Sequence, residues 1–539
     1  MKLAPQARSR PLPAAASSFQ SAWTGGHNRW AIALTVTLAT FMEVLDTSVA
    51  NIALPNIAGN LAASQTQSTW VLTAYLVANA IVLPTSAWMA LRLGRKRFYM
   101  GCVALFTLSS VLCGLAPSLA MLIICRIMQG AGGGGLGPSE QGILADTFVP
   151  AEHGIAFATY GMAVILAPAI GPTLGGWITD RYDWRWIFFI NVPAGILSLF
   201  LTHRLVQDPP YLARERLRAR HSAVDWIGLV LVATFLGSLQ IMLDRGEQAN
   251  WFQSANIQTL ALTCVLGFAA LIIWEISQKN PIIDLRLLRY RSFGIANLLM
   301  FALGFVLYGS VVLLPQLMQN LMGYTAELAG LVLSPGGFAM VAVMPVAGGL
   351  AMLCDSRWLV ALGFAASAFA LYHMTTLDLG ASFRSLVVLR IYQAGTLAFL
   401  FVPINTLAYS EIPGERNDDV SSMINLARNI GGSVGIALTS TLVTRRTQFH
   451  QHTLAANVTS YDYQVRAMHH HLGILLSRGG LGVAGSHQAF IRLYDSLQAQ
   501  AAMMAYNDTF FIMAVLCAAM VPLAFLMKKN EVARGVVIG

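Results

Sequence analysis

Fourteen stretches of about 20 mostly apolar residues recur along this chain, and that length is what a helix needs to cross the hydrocarbon core of a bilayer. They fall near 30–53, 69–90, 98–116, 119–140, 155–178, 186–205, 225–243, 257–276, 294–317, 326–350, 357–375, 384–408, 420–443 and 508–527. Inside lipid every backbone N–H and C=O must be bonded within the segment, so each stretch reads as a helix and the chain as an all-α membrane protein. Composition agrees: 56% of residues are hydrophobic and 11% charged, where a soluble domain carries roughly 25% charged residues. A formal net charge of +9 does not imply a nucleic-acid partner, because the basic residues sit in short loops rather than on a soluble domain.

Those loops orient the chain. With the N-terminus in the cytoplasm, the cytoplasmic segments hold 22 Lys and Arg, including the cluster Arg92, Arg95, Lys96 and Arg97, against four (Arg181, Arg185, Arg245, Arg384) in the short opposite loops. Both termini are therefore expected in the cytoplasm. The six cysteines lie in or beside apolar spans and read as small buried hydrophobes. No G-x-x-x-x-G-K-[ST] pattern occurs, so the glycines of "QGAGGGGLG" (129–137) serve helix approach rather than phosphate binding.

The chain repeats itself. Arg126 and Gln129 recur as Arg390 and Gln393, each 264 residues on. "RLGRKR" (92–97) and "GPTLGG" (171–176) have weaker echoes in "CDSRW" (354–358) and "GGSVG" (431–435). Ordered matches across three spans predict two six-helix halves with spans seven and eight inserted between them, the construction of many secondary transporters. The expected division is a tail over 1–29, an N-terminal bundle over 30–205, a linker with two extra spans over 206–290, a C-terminal bundle over 291–527 containing a long outer segment 444–507, and a tail over 528–539.

Charged side chains inside a span are costly, roughly 2.5–3.5 kcal/mol on insertion scales. The first span carries two, Glu43 and Asp46. Asp46 and Arg126 each lie about seven residues from the outer end of their spans, roughly 10 Å deep, so they can pair and relieve each other's burial. Two readings follow: a static ion pair that fixes helix packing, or a proton carrier whose partner changes between conformations. Glu43, one turn from Asp46, sits too close for both to ionise freely and is a second candidate for proton handling or for attracting cations; an independent polar contact is the alternative. In the second half the repeat is expected to place Tyr308 near the position of Asp46, with no acid nearby, leaving Arg390 without a carboxylate partner. That half then supplies substrate surface, with Phe301, Phe305, Tyr308 and Gln316 as candidates against ordinary packing. Arg428 is expected to snorkel at the cytoplasmic end. The segment 444–507 carries His450, His452 and His469–His471 with no Cys and no acid adjoining them, which argues against zinc; its Gln and Ala runs suggest amphipathic helices, and an adaptor-docking surface or a disordered loop are the readings left.

"LDTSVANIALP" (45–55), "RIMQG" (126–130), "APAIGPTLGG" (167–176), "WRWIFFINVP" (184–193), "SLQIMLDRG" (238–246), "NPIIDL" (280–285) and "LLPQLMQNLMGYTAELAG" (313–330) together resemble the fourteen-span drug:proton antiporter branch of the major facilitator superfamily, over roughly residues 30 to 527. The resemblance implies that fold and a non-enzymatic, proton-coupled efflux pump of the bacterial inner membrane that exports amphipathic, hydrophobic or cationic drugs by alternating access. It implies proton coupling at Asp46 and Arg126, and conformational motifs at Gln129, Gly130, Gly171, Pro172, Gly175, Gly176, Gly94, Arg95 and Arg97. It implies no cofactor beyond the proton gradient and, as partners beside lipid and drugs, a periplasmic adaptor and an outer-membrane channel. An exporter of one physiological solute such as a fatty acid, and a non-transporting membrane sensor, are the alternatives. The basic loop departs from the family pattern: Leu91 stands where an Asp is usual and Ala87 where a Gly is, which leaves the latch of the outward-facing state in question. Glu43 stands where an uncharged residue is expected.

Overall fold

The computed structural model describes residues 23, 24, 26–212, 225–278, 281–458, 463–476 and 484–529. Most of both tails, the basic stretch 213–224 and Asn280 fall outside them, as does the side chain of Pro172. All the regular elements described are helices. In the first half they are α1 (Arg29–Asn60), α2 (Trp70–Leu93), α3 (Arg95–Gly114), α4 (Leu119–Thr147, broken after Gly133), α5 (His153–Arg181) and α6 (Trp186–Leu205, broken at Ile190). Next come α7 (Trp226–Arg245) and α8 (Ala255–Ser277). The second half comprises α9 (Arg291–Asn320), α10 (Ala326–Leu353), α11 (Ser356–Met374), α12 (Phe383–Tyr409), α13 (Asn417–Asn457), α14 (Tyr463–Leu476) and α15 (Ala484–Ala524).

Each of the fourteen expected spans coincides with a helix, but fewer qualify on composition. Among the described residues eleven helices are long and apolar enough to cross a membrane, and α5, bent by 43° between Pro168 and Thr173, makes twelve. The remaining two are α11 and α13. In α13 the shortfall has a physical cause: Ser421, Asn425 and Arg428 bond to residues of the other half instead of facing lipid.

The packing repeats with the sequence. In the first half α1 packs on α5, α2 on α4, α3 on α4 and α6; in the second, α9 packs on α13, α10 on α12, α11 on α12 and α15. The halves meet where α13 lies on α2 and α4, and where α5 lies on α10 and α12. Helices α7 and α8 pack on each other, with α7 against α2 and α13. Their outer faces expose Val230, Leu262, Val265 and Ile273, as a lipid-facing surface must.

Two ends can be told apart. The start of α1 and the residues after α15 share one end, here called the basic face, with Lys528 N bonded to Ser292 Oγ at 3.0 Å and Trp23 N to Asp146 O at 2.9 Å. At the opposite end, α13 and α15 run on past the bundle and α14 packs against α15. The described part of the long outer segment is thus helical rather than a loop. Among the six cysteines Cys354 departs from expectation: it is exposed at the turn before α11, and the other five are buried.

Candidate functional site

Helix α1 carries Asp46 into the centre of the first half, where its side chain is 1% exposed and that of Arg126 on α4 fully enclosed. Arg126 Nη1 donates to Asp46 Oδ2 at 2.5 Å. The other carboxylate oxygen accepts from Gln129 Nε2 at 2.9 Å and from Asn191 Nδ2, on α6, at 2.7 Å. Arg126 also donates to Val71 O at 3.0 Å and to Gln129 Oε1 at 2.8 Å, and its guanidinium lies 4.3 Å from the Tyr75 ring centroid. Ser110 Oγ on α3 accepts from both Gln129 and Asn191. Five helices therefore converge on one hub, with α4 and α6 supplying the donors to the carboxylate, which is the environment a buried charge requires.

Glu43 sits beside this hub rather than inside it. Half-buried, it accepts on Oε1 from Tyr75 Oη and Asn79 Nδ2, both at 3.0 Å. Tyr75 thus bonds to one carboxylate while lying over the cation that holds the other.

The second half holds a copy of the hub with its acid missing. Arg390 donates to Gln393, as Arg126 does to Gln129, and both Arg390 (3.4 Å) and Gln393 (3.1 Å) reach Ser310 Oγ. Ser310 lies 264 residues after Asp46, so it, and not Tyr308, occupies the equivalent place. The discrepancy arises because span boundaries fix a position only to within a few residues, whereas the Arg and Gln contacts fix the rotational phase.

The candidate substrate residues of α9 are found in helix packing. The backbones of Phe301 and Phe305 lie against Gly431 and Gly435, and the Tyr308 ring lies on Gly432. Gln316, further along, is half-buried. Arg428 is corrected: it does not snorkel to the surface but is buried 11 residues into α13. It donates to Tyr160 Oη at 3.1 Å, with its guanidinium 5.7 Å from the rings of Tyr160 and Phe401. The bundle interface holds it because α13 lies inside the fold.

The conformational motifs separate into those that bear contacts and those that do not. Gly94, at φ +92°, makes the turn between α2 and α3 in a region that other residues adopt at a cost. Gly130 lets α4 approach the backbone of Tyr75; Gly171 and Gly175 lie against Ser48 and Val49 of α1, just beyond Asp46. Gly176 faces open space, and Arg97 is exposed. Arg95, in contrast, is 1% exposed at the junction of the halves. It pairs with Asp146 at the end of α4 and with Asp418 in the first turn of α13 (2.7 Å), and donates to Gly142 O at 3.1 Å. Asn417 Nδ2 donates to Asp146 Oδ1 at 2.9 Å, and Tyr211 Oη to Asp146 Oδ2 at 2.8 Å. Acids thus join the halves at this latch although Leu91 is not one; Asp418 supplies a carboxylate from the opposite side. A little deeper, Tyr160 Oη donates to Asn425 Oδ1 (3.0 Å), and Asn425 Nδ2 to Gln141 Oε1 (2.8 Å). The hydrogen bonds and ion pairs between the halves gather toward the basic face.

Sequence reasoning passed over Asp146, Asp418, Asn191 and Glu140. For Glu140, 0% exposed within α4, the signal was available: it is an acid inside a span, like Asp46. Among the described residues no group of three or more His, Cys, Asp and Glu side chains is placed to hold a metal; His450 instead pairs with Asp508 at 2.7 Å, beside Arg446.

Known proteins give the arrangement a context. The profile of the Major Facilitator Superfamily matches residues 36–436. The chain is 38% identical to the multidrug export protein EmrB of Escherichia coli over 483 residues, 89% of this chain and 92% of that protein. It is 36% identical to the fatty acid resistance protein FarB of Neisseria gonorrhoeae over 498 residues, 92% and 96% of the two chains. In shape it resembles the human organic anion transporter MFSD10 (TETRAN), with a TM-score of 0.58 and 12% identity over 91% of this chain and all of that one.

Proposed function

From the premise that this chain belongs to the major facilitator superfamily, as a multi-pass membrane protein, we propose that it is a proton-coupled multidrug exporter working by alternating access. The observation that carries the coupling is the Asp46 hub: a fully enclosed carboxylate with one cationic partner and neutral donors, built in one half and replaced by Ser310 in the other. A carboxylate of this kind takes up a proton when the neighbouring cation is drawn away and releases it when the cation returns, because the nearby charge favours the ionised form. The motions of α4 against α2 and of α5 against α1 are linked to that step, the first through Gly130 and the second through Gly171 and Gly175.

In this reading the basic face is the cytoplasmic one and both termini lie there, by the distribution of Lys and Arg. The latch at Arg95 then closes the cytoplasmic side, and the conformation described is one with its inner gate shut. Half-buried Glu43 is placed to favour cationic compounds. The membrane is the bacterial inner membrane, and the helical projection of α13, α14 and α15 on the far side is the surface for a periplasmic adaptor that leads to an outer-membrane channel. A second reading, export of a single solute such as a fatty acid, is favoured by the likeness to the fatty acid resistance protein.

Purified protein in vesicles with an imposed pH gradient tests the proposal against a panel of cationic, neutral and fatty-acid compounds. Gradient-driven movement of several chemical classes is expected, with Glu43→Gln weakening the cations most. Movement of fatty acids alone would select the second reading, and absence of any response to the gradient would refute proton coupling.

A further inference from the structure

Glu140 has no place in the hub, yet among the described residues it is the other fully buried acid of the first half. Its Oε1 accepts from Thr37 Oγ1 of α1 at 2.7 Å, its Oε2 is buried, and among the described residues it forms no ion pair. A carboxylate so enclosed, with no ion pair, is costly to keep ionised, and protonation removes that cost. Thr40, one turn further along α1 and 1% exposed, sets a second hydroxyl beside this carboxyl. That hydroxyl acts on Glu140, as do the charges of Glu43 on α1 and Arg428 on α13; the phenols of Tyr99 on α3 and Tyr160 on α5 face the same acid. Arg428 directs its hydrogen bond to Tyr160 and makes no ion pair with Glu140, on which its charge acts from a distance.

The placement is as telling as the isolation. Thr37, Thr40, Glu43 and Asp46 follow at intervals of three, so each neighbours the next on the helix surface and they form a stripe that winds along α1. Nine residues separate Thr37 from Asp46, which puts Glu140 roughly 13 Å nearer the basic face than the hub, with Glu43 between them. A threonine hydroxyl can donate to a carboxylate and accept from a carboxylic acid, so Thr40 can serve either protonation state of Glu140 with a rotation of its O–H.

We propose that Glu140 is a second proton-binding carboxyl, set between the Asp46 hub and the basic face, through which protons leaving Asp46 and Glu43 pass. The proposal rests on the proton-coupled reading above. Each transfer breaks an O–H bond on one carboxyl and forms one on the next, directly or across a hydroxyl, with no change in oxidation state.

Infrared spectra of the full-length protein test it together with efflux in vesicles. The wild type is expected to show a protonated-carboxyl stretch at neutral pH that Glu140→Gln removes and Asp46→Asn retains. Glu140→Gln keeps an acceptor for Thr37, so binding of a fluorescent cationic drug is expected to stay unchanged while gradient-driven efflux slows about tenfold or more. Unaltered spectra and unaltered efflux in Glu140→Gln would overturn the proposal. Should that variant not fold, Thr37→Val is expected to shift the same band, and an unshifted band would overturn it equally. A band that disappears on schedule in a protein whose efflux ignores the pH gradient would leave Glu140 a protonated site but remove the coupling on which its role depends.

Discussion

Replacing Asp46 by Asn while also replacing Arg126 by Met separates a packing ion pair from a proton carrier. In the single variant Asp46→Asn, the guanidinium of Arg126, 0% exposed, loses its one carboxylate partner. Removing one member of a buried pair costs about 3–5 kcal/mol. The amide oxygen still accepts a hydrogen bond, so a loss of about 3 kcal/mol, the lower end of that range, is expected. Removing both charges is close to neutral, because an apolar side chain of similar volume no longer has to be compensated. In the double variant the new amide keeps Gln129 and Asn191 as neighbours, and the new thioether side chain fills the space beneath the rings of Tyr75 and Phe188. Thermal unfolding of purified protein is therefore expected to fall in Asp46→Asn and to recover in Asp46→Asn/Arg126→Met. Gradient-driven efflux from vesicles is expected to be lost in both. A stable double variant that transports like the wild type would show that the pair only holds α1 to α4, and the carrier assignment would fail.

Two further outcomes follow from the contacts. Asp418→Asn removes a charge-assisted bond across the latch, worth about 1.5–3 kcal/mol, so the balance of conformations shifts roughly tenfold or more toward an open basic face; Ser421→Cys at a fully buried position, in a protein lacking exposed Cys354, is then expected to react faster with an impermeant thiol reagent, and an unchanged rate would show that Arg95 and Asp146 suffice to close the gate. Ser310→Asp gives Arg390, buried with its Nε unpartnered, the carboxylate that Arg126 already has; a higher unfolding temperature is expected, and a lower one would mean that the two hubs differ in more than one side chain.

The order of residues was enough to establish the kind of protein and its main pairing. Apolar length fixed where the helices run, since each segment meets the bilayer's demand independently of the others. The cost of burying a charge singled out Asp46 and Arg126, and equal depth on adjoining spans was enough to bring them together. The 264-residue offset revealed the internal symmetry, and with it the Arg390–Gln393 pair. Rotational phase and long-range encounter emerged only with the assembled bundle. Whether Arg428 faces water or the junction, whether Tyr308 or Ser310 meets Arg390, and whether Gly176 bears on a neighbour all depend on how far each helix is turned about its axis, which apolarity on every side leaves free. The latch joins Arg95 to Asp418 across 323 residues. No local rule pairs them: each is an ordinary charge near a helix end until the two halves close and exclude the water around it.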